Sequence, residues 1–289
     1  MTDAEIEMTA DLVRELLREQ HPDLAGLPIR EVAGGWGNQM WRLGDELAVR
    51  MQRMDATHGP QLNERRWLPL LASRLPLPIP TPVRSGTPSA RFPKIWTVMT
   101  WVEGTPLDHG SITRGDDAAD RLADFLKALH VEAPADAPGT SGGFGAPLKE
   151  AAGGFEHFLR AVDLGDFAED DIRAVWDDAL AASEWQGPAL WIHGDLHPAN
   201  VVVADGTLAG VVDFDALSIG DPPWDLAAAR VLLPPGTTAR LFPADAEGDE
   251  ATIPGGRGPG RGPRPSGRRA GRPRCGCPRR PAPRRRSCR

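Results

Sequence analysis

The chain has 289 residues, 40% hydrophobic and 25% charged with nine Trp, which suits one two-lobed domain or two small ones and excludes a wholly disordered or fibrous protein. No run approaches the roughly 20 apolar residues of a membrane helix, and the acidic, amphipathic start lacks a basic-then-apolar leader, so a cytoplasmic location without membrane contact is expected. The net charge of −7 joins two unlike parts: residues 1–250 hold all 40 acidic residues and 20 of the 33 basic ones, net −20, whereas residues 251–289 hold 13 Arg and no acid, net +13.

In chain order, Ile6, Leu12, Val13, Leu16 and Leu17 stand at helical spacing within residues 3–20 and predict a half-buried first helix. Residues 29–53 contain short β-prone runs separated by GGWGN and LGDE, two turn signals, and predict three consecutive antiparallel strands. NERRWLPLLASRL places Trp67, Leu70, Leu71 and Leu75 on one helical face, with Pro69 near the start of that helix. A Pro-rich stretch leads into residues 82–85, and residues 95–102 form a strongly apolar strand. The first hundred residues thus read as a small α+β unit. Helices are predicted over residues 116–130, 155–162 and 172–183, with a long Gly/Pro/Ala loop after the first of them. The second lobe is mainly helical.

From Ile253 the chain is almost entirely Arg, Gly and Pro, with no apolar period that could face a core, and is expected to be disordered. It holds all three cysteines, Cys275, Cys277 and Cys288, so the body has no disulfide framework. Two origins stay open. A basic arm of this kind can bind nucleic acid through phosphate contacts. An abrupt switch to the residues of GC-rich codons is also what a change of reading frame near residue 250 produces.

The chemistry is concentrated in LWIHGDLHPANVVVADGTLAGVVDFDALSIGDPPWDLA, residues 190–227. The β-runs at residues 201–204 and 208–214 flank Asp205-Gly206, a strong hairpin signal. Residue-number sums of 411 to 413 for paired positions put Asn200 opposite a residue between Val211 and Asp213. Asn200 and Asp213 then share the open end of the ladder, within about one cross-strand diagonal of ~7 Å, and Asp195 lies in the loop feeding that end. Hard oxygen groups with no cysteine nearby suit Mg²⁺. They make a poor standalone metal site but a good one beside nucleotide phosphates, where phosphoryl transfer needs both a proton acceptor and metal-holding side chains.

HGDLHPAN and VVDFD resemble the catalytic loop and metal-binding segment of the aminoglycoside phosphotransferase and choline kinase-like family, which shares the protein-kinase fold. The resemblance covers about residues 20–235. It implies a bilobal α+β fold with a small antiparallel β-rich lobe over residues 1–102, a mainly helical catalytic lobe over 103–250 that is incomplete, and the tail over 251–289. It further implies Asp195 as catalytic base, Asn200 and Asp213 as Mg²⁺ ligands, and Asp225 as a structural acid steadying the catalytic loop. GGWGN resembles the family's phosphate-covering loop, which assigns Gly34, Gly35, Gly37 and Asn38 to the nucleotide. Arg50 stands in LAVRM where the family carries a Lys that pairs with phosphate, and Glu64 is its natural ion-pair partner. The strand ending TVMTWVEG is similar to the hinge between lobes, whose backbone at Thr100 to Val102 would receive the base.

The expected activity is transfer of the γ-phosphoryl of ATP or GTP to a hydroxyl of a small molecule. The acidic body favours a cationic acceptor such as an aminoglycoside. Two readings of other classes compete: a non-catalytic kinase-fold protein whose tail replaces further helices, and a polyanion binder acting through the Arg-rich tail. Local alternatives stand beside each assignment. His193, Asp195 and His197 could form a metal cluster, although the body supplies no further His or Cys at ligand spacing. The glycines could be an ordinary hairpin turn, and Arg50 with Glu64 a solvated surface pair.

Overall fold

A computed structural model describes residues 6–32, 37–53, 59–140, 145–182 and 185–241. Gly34 and Gly35, and the whole Arg-rich segment 251–289, lie outside the described residues. Helix α1 (Ala10–Gln20) leads into strands β1 (Ile29–Val32), β2 (Asn38–Leu43) and β3 (Leu47–Gln52), followed by α2 (Gly59–Ala72), β4 (Pro82–Gly86) and β5 (Trp96–Thr100). These five strands form one antiparallel sheet in the order β1-β2-β3-β5-β4. α1 starts seven residues later than the periodicity suggested, because Thr9 caps it by accepting the Leu12 N–H at 3.2 Å. Val13, Leu16 and Leu17 are fully buried and meet Trp41, Leu43, Val49, Met51, Phe92, Trp96 and Val98 in a first core.

α2 corrects two details. It begins at Gly59, so Pro69 falls in its last turn instead of its first, and Leu70 points outward at 61% exposure. The buried stripe is Gln61, Glu64, Leu68 and Leu71, at helical spacing, with Trp67 beside it. Its apolar end joins the core of the second lobe, while its polar start faces the sheet. One helix therefore ties the second core to the sheet.

The second lobe contains β6 (Thr105–Pro106), α3 (Gly115–Leu129), α4 (Ala152–Ala161), α5 (Glu169–Ala181), β7 (Leu190–Ile192), β8 (Val201–Ala204), β9 (Thr207–Val211), β10 (Ser218–Gly220) and α6 (Pro222–Leu232). α3 buries Leu122, Phe125, Leu126 and Leu129, the positions its periodicity marks. They pack with Trp191, Val201, Leu208, Val211, Phe214 and residues of α6. α5 begins with Glu169, Asp170 and Asp171, whose charges suit the positive end of a helix, and it buries none of its residues. Phe155 of α4 stacks on Trp176 of α5 at 4.2 Å between ring centroids.

β8 and β9 form the hairpin, turning through Asp205 and Gly206 at φ 51° and 76°. Two successive positive φ values define the tight mirror-image turn that matches strand twist. Ala204 faces Thr207 and Val203 faces Leu208, but Val202 faces Gly210 and Val201 faces Val211, so Ala209 is an extra, bulged residue. The second strand stops at Val211, three residues short of the run expected from sequence. Beyond it the Val212 N–H still donates to the Asn200 carbonyl at 2.9 Å. No helix among the described residues is long and apolar enough to cross a membrane.

Truncating a core position should separate sharply from truncating a surface one. Leu16→Ala should lower unfolding free energy by about 2–5 kcal/mol, against less than about 0.5 kcal/mol for Leu70→Ala, in urea titrations of the two variants.

Candidate active site

The loop between β7 and β8 is held from below by α6. Asp225, in the first turn of that helix, is fully buried, and its carboxylate accepts the backbone N–H of His193 at 2.8 Å and of Gly194 at 2.9 Å. His130, capping the end of α3, lies 3.1 Å from the same carboxylate. The neighbouring Trp224 donates its indole N–H to the Gly194 carbonyl at 2.5 Å. Gly194 itself has φ +82°, and a Cβ there would come within 2.9 Å of the Ala216 carbonyl, so only glycine lets this loop touch the segment after Asp213.

His193 is a packing residue. Its Nδ1 accepts the Asp195 N–H at 3.2 Å, which leaves the proton on Nε2 to meet the Val212 carbonyl at 3.1 Å, and its ring packs on Phe214. Both nitrogens are used, so the metal-cluster alternative loses its first ligand. Among the described residues no group of three or more His, Cys, Asp or Glu is arranged to hold a metal ion. His197 accepts the Ala199 N–H on Nδ1 at 3.3 Å and turns Nε2 toward Asp195, 3.7 Å from its Oδ2.

Asn200 is buried at the end of a short 3₁₀ turn, and its side-chain amide donates to the Asp195 carbonyl at 2.9 Å and to Asp195 Oδ2 at 3.2 Å. With Nδ2 committed twice, the remaining Oδ1 is an acceptor available for a cation. Asp213 follows the ladder with φ +61°, an uncommon conformation for a residue with a side chain. Its Oδ1 is buried and has no hydrogen-bond donor, the kind of orphaned oxygen a hard cation satisfies. Burial, with repulsion from Asp215, raises the Asp213 carboxyl above its ordinary pKa.

Across the cleft, Arg50 of β3 is buried and donates from Nη1 to Glu64 Oε2 of α2 at 2.5 Å. A solvated surface pair is excluded: the two side chains are 6% and 5% exposed. The Arg50 Nη2 contacts Asp215 Oδ1 and lies 3.9 Å from Asp213 Oδ1. Asn38, opening β2, donates from Nδ2 to Asp215 Oδ2 at 3.2 Å. Burial alone would lower the pKa of Arg50, but Glu64, Asp215 and Asp213 together raise it above its ordinary value. For Glu64 burial outweighs the pull of Arg50 and pushes its carboxyl up to about 7.

Asp215 was not singled out from sequence. The two-residue alternation of a strand could not have found it, because Asp213 is left-handed and the segment is not extended, yet both acids face Arg50. At the hinge, Thr100 and Trp101 already donate their N–H groups, to Thr81 at 2.9 Å and to Glu46 at 2.7 Å. Val102 donates to no backbone carbonyl among the described residues, which leaves it as the amide that can meet a base. A Cβ added to Gly37 would meet nothing within 4 Å, so packing does not demand glycine there.

A phosphotransferase enzyme family model, APH, matches residues 28–262, more than half of the chain. The chain belongs to this family. A curated relative, the uncharacterized protein YcbJ of Bacillus subtilis (strain 168), is 26% identical over 180 residues, covering 56% of this chain and 51% of that one. The chain thus spans about half the length of the curated relative it matches. Among solved structures, the GDP and kanamycin complex of APH(2")-IIia matches with TM-score 0.64 and 20% identity over 83% of this chain and 86% of that one. The macrolide 2'-phosphotransferase MphH from Brachybacterium faecium matches with TM-score 0.57 and 22% identity over 82% and 83%. The streptomycin-ATP-APH(2")-IIa ternary complex matches with TM-score 0.55 and 17% identity over 86% of each chain. The phosphotransferase fold is accordingly the bilobal, protein-kinase-like one expected from the sequence, with an antiparallel sheet in one lobe and helices in the other.

Two outcomes test this geometry. Asp225→Ala leaves two buried N–H groups without an acceptor and should cost about 3–5 kcal/mol of unfolding free energy. Glu64, with its folded pKa raised from 4.5 to about 7, binds a proton in the folded state that the unfolded chain has released. It therefore favours folding below about pH 4.5, and that contribution is lost as pH rises to about 7. Glu64→Gln should flatten this part of the stability profile in urea titrations across that range.

Proposed function

We propose that this family member transfers the terminal phosphoryl group of ATP or GTP to a hydroxyl of a small, cationic acceptor. The observation that carries the reading is the Asn200 amide, pinned to Asp195 on one side while its own oxygen and the orphaned Asp213 Oδ1 remain for a cation. Asp195 is half-exposed and is the group proposed to take the acceptor's proton. Its Oδ2 is held by Asn200, which leaves Oδ1 for the incoming hydroxyl. Asn200 and Asp213 would hold Mg²⁺, which when bound spreads the charge of the phosphate oxygens. Arg50 supplies a fixed guanidinium where the phosphates meet the small lobe, and Glu64 anchors it through Nη1. Asn38 and Gly37 border the phosphates, and the hinge backbone from Thr100 to Val102 receives the base through the Val102 amide.

Solved structures of the same fold include a complex with GDP and kanamycin, a ternary complex with ATP and streptomycin, and a gentamicin complex. A cationic acceptor also agrees with the net charge of −20 over residues 1–250, since a negative surface raises the local concentration of a cation. A second reading, nucleotide binding without transfer, draws on the thin packing of α4 and α5. Phe158, Phe167 and Val175 are all more than half exposed, and α5 contributes nothing to the core.

Purified protein should consume ATP or GTP in the presence of Mg²⁺ and a panel of amino alcohols that includes aminoglycosides. Asp195→Ala should lower turnover at least about 10²-fold while changing nucleotide affinity less than about threefold. Full transfer activity in that variant removes Asp195 as the base; nucleotide binding with no transfer to any acceptor selects the second reading.

A further inference from the structure

The second carboxylate of the Asp213-Phe214-Asp215 segment has a place in the cleft that the transfer reading does not use. Asp215 belongs to the large lobe, yet both of its oxygens face the small one. Oδ1 contacts Arg50 Nη2 and Oδ2 accepts from Asn38 Nδ2. Those donors are the two side-chain groups of the sheet that stand ready for nucleotide phosphates. A single carboxylate occupies both of them at once, in the way a phosphate with two free oxygens would.

Arg50 makes this arrangement possible. The guanidinium is a fork, so Nη1 can stay on Glu64 while Nη2 reaches across the cleft; a point-charge ammonium has no such second arm. Around this one cation stand Glu64, Asp213 and Asp215, so negative charge is in excess. A bare polyphosphate entering the cleft must displace a carboxylate from Arg50 and then sit beside that carboxylate. With a divalent cation the displaced group gains a partner of opposite charge.

We propose that Asp215 is a positioning residue that stands in for phosphate on Arg50 and Asn38, and so makes nucleotide binding depend on the accompanying metal ion. The inference rests on the nucleotide-transfer reading. Asp215 keeps both donors aimed into the cleft, yields them when phosphate arrives with Mg²⁺, and holds them against phosphate that arrives without it. This reverses the usual expectation for an acid beside a phosphate site, because removing it strengthens one form of binding.

The test is calorimetric titration of the full chain with ADP and with GDP, each in Mg²⁺ and in EDTA. Asp215→Asn preserves shape and removes charge. It should tighten metal-free binding at least about fivefold and change binding with Mg²⁺ less than about threefold, so the ratio of the two affinities falls. An unchanged ratio, or a parallel loss under both conditions, overturns the proposal and assigns Asp215 a structural role. Asp215→Ala, which removes the acceptor as well as the charge, should give the same fall and serves if the Asn variant does not fold. In an Asn38→Ala background the gain from Asp215→Asn should shrink at least about twofold, since one of the contested donors is gone; an undiminished gain marks a long-range charge effect and overturns the exchange. A wild-type chain that binds neither nucleotide in Mg²⁺ overturns the transfer reading along with this one, whereas wild-type binding with an unaltered ratio in the variants overturns this one alone.

Discussion

The geometry of the cleft depends on one buried carboxylate. Asp225 ends up with no exposed surface, and it is tolerated there because two backbone amides and an imidazole meet it. Those partners belong to the β7–β8 loop and to the end of α3, and the carboxylate itself belongs to α6. Three elements distant in sequence are thereby locked at one point. The loop that carries Asp195 and Asn200 has little regular structure of its own; it inherits its shape from this contact, from the Trp224 bond to Gly194, and from the neutral His193 ring bridging Asp195 and Val212.

A second organising principle is unbalanced charge. One guanidinium is shared among three carboxylates drawn from both lobes, and the acids respond as chemistry requires: Asp213 and Glu64 both hold their protons more tightly than they would in water. Such a cluster is a weak source of stability, because every member is partly stripped of solvent. On the proposal made above, what it offers instead is selectivity for a ligand that brings positive and negative charge together. Stability comes from the two hydrophobic cores instead; α2 gives Trp67, Leu68 and Leu71 to the second of them and holds Glu64 against Arg50 of the sheet.

Much of this was legible in the sequence. The hairpin register followed from a two-residue turn signal and from strand arithmetic, and Asn200 does pair with Val212 as the counting required. The α3 stripe was readable because Leu122, Phe125, Leu126 and Leu129 face a single core. Leu70 was misassigned because periodicity counts apolar residues without knowing which neighbours a helix has; α2 touches two bodies, and its buried stripe includes a glutamine and a glutamate. The role of Asp215 escaped for a related reason. Its partners lie far away in sequence, Asn38 by 177 residues, and no local pattern reports a contact made across a cleft. The split hinge amides were equally hidden, since which N–H groups are already engaged is a property of the neighbouring strands.

The bulge at Ala209 carries a consequence for how this hairpin can vary. Because the extra residue sits between the turn and the open end, it works as a one-tooth gear. Below it, partners sum to 411; above it, to 412. Were Ala209 instead drawn into the ladder opposite Val202, every later residue would slip by one step, which would bring Val211 opposite Asn200 and turn each later side chain to the reverse face, carrying Asp213 out of the cleft. Deleting Ala209 itself would only close the bulge and leave Val212 opposite Asn200, whereas a one-residue change elsewhere in either strand must be absorbed by a bulge or matched on the partner strand to keep Asp213 in the cleft.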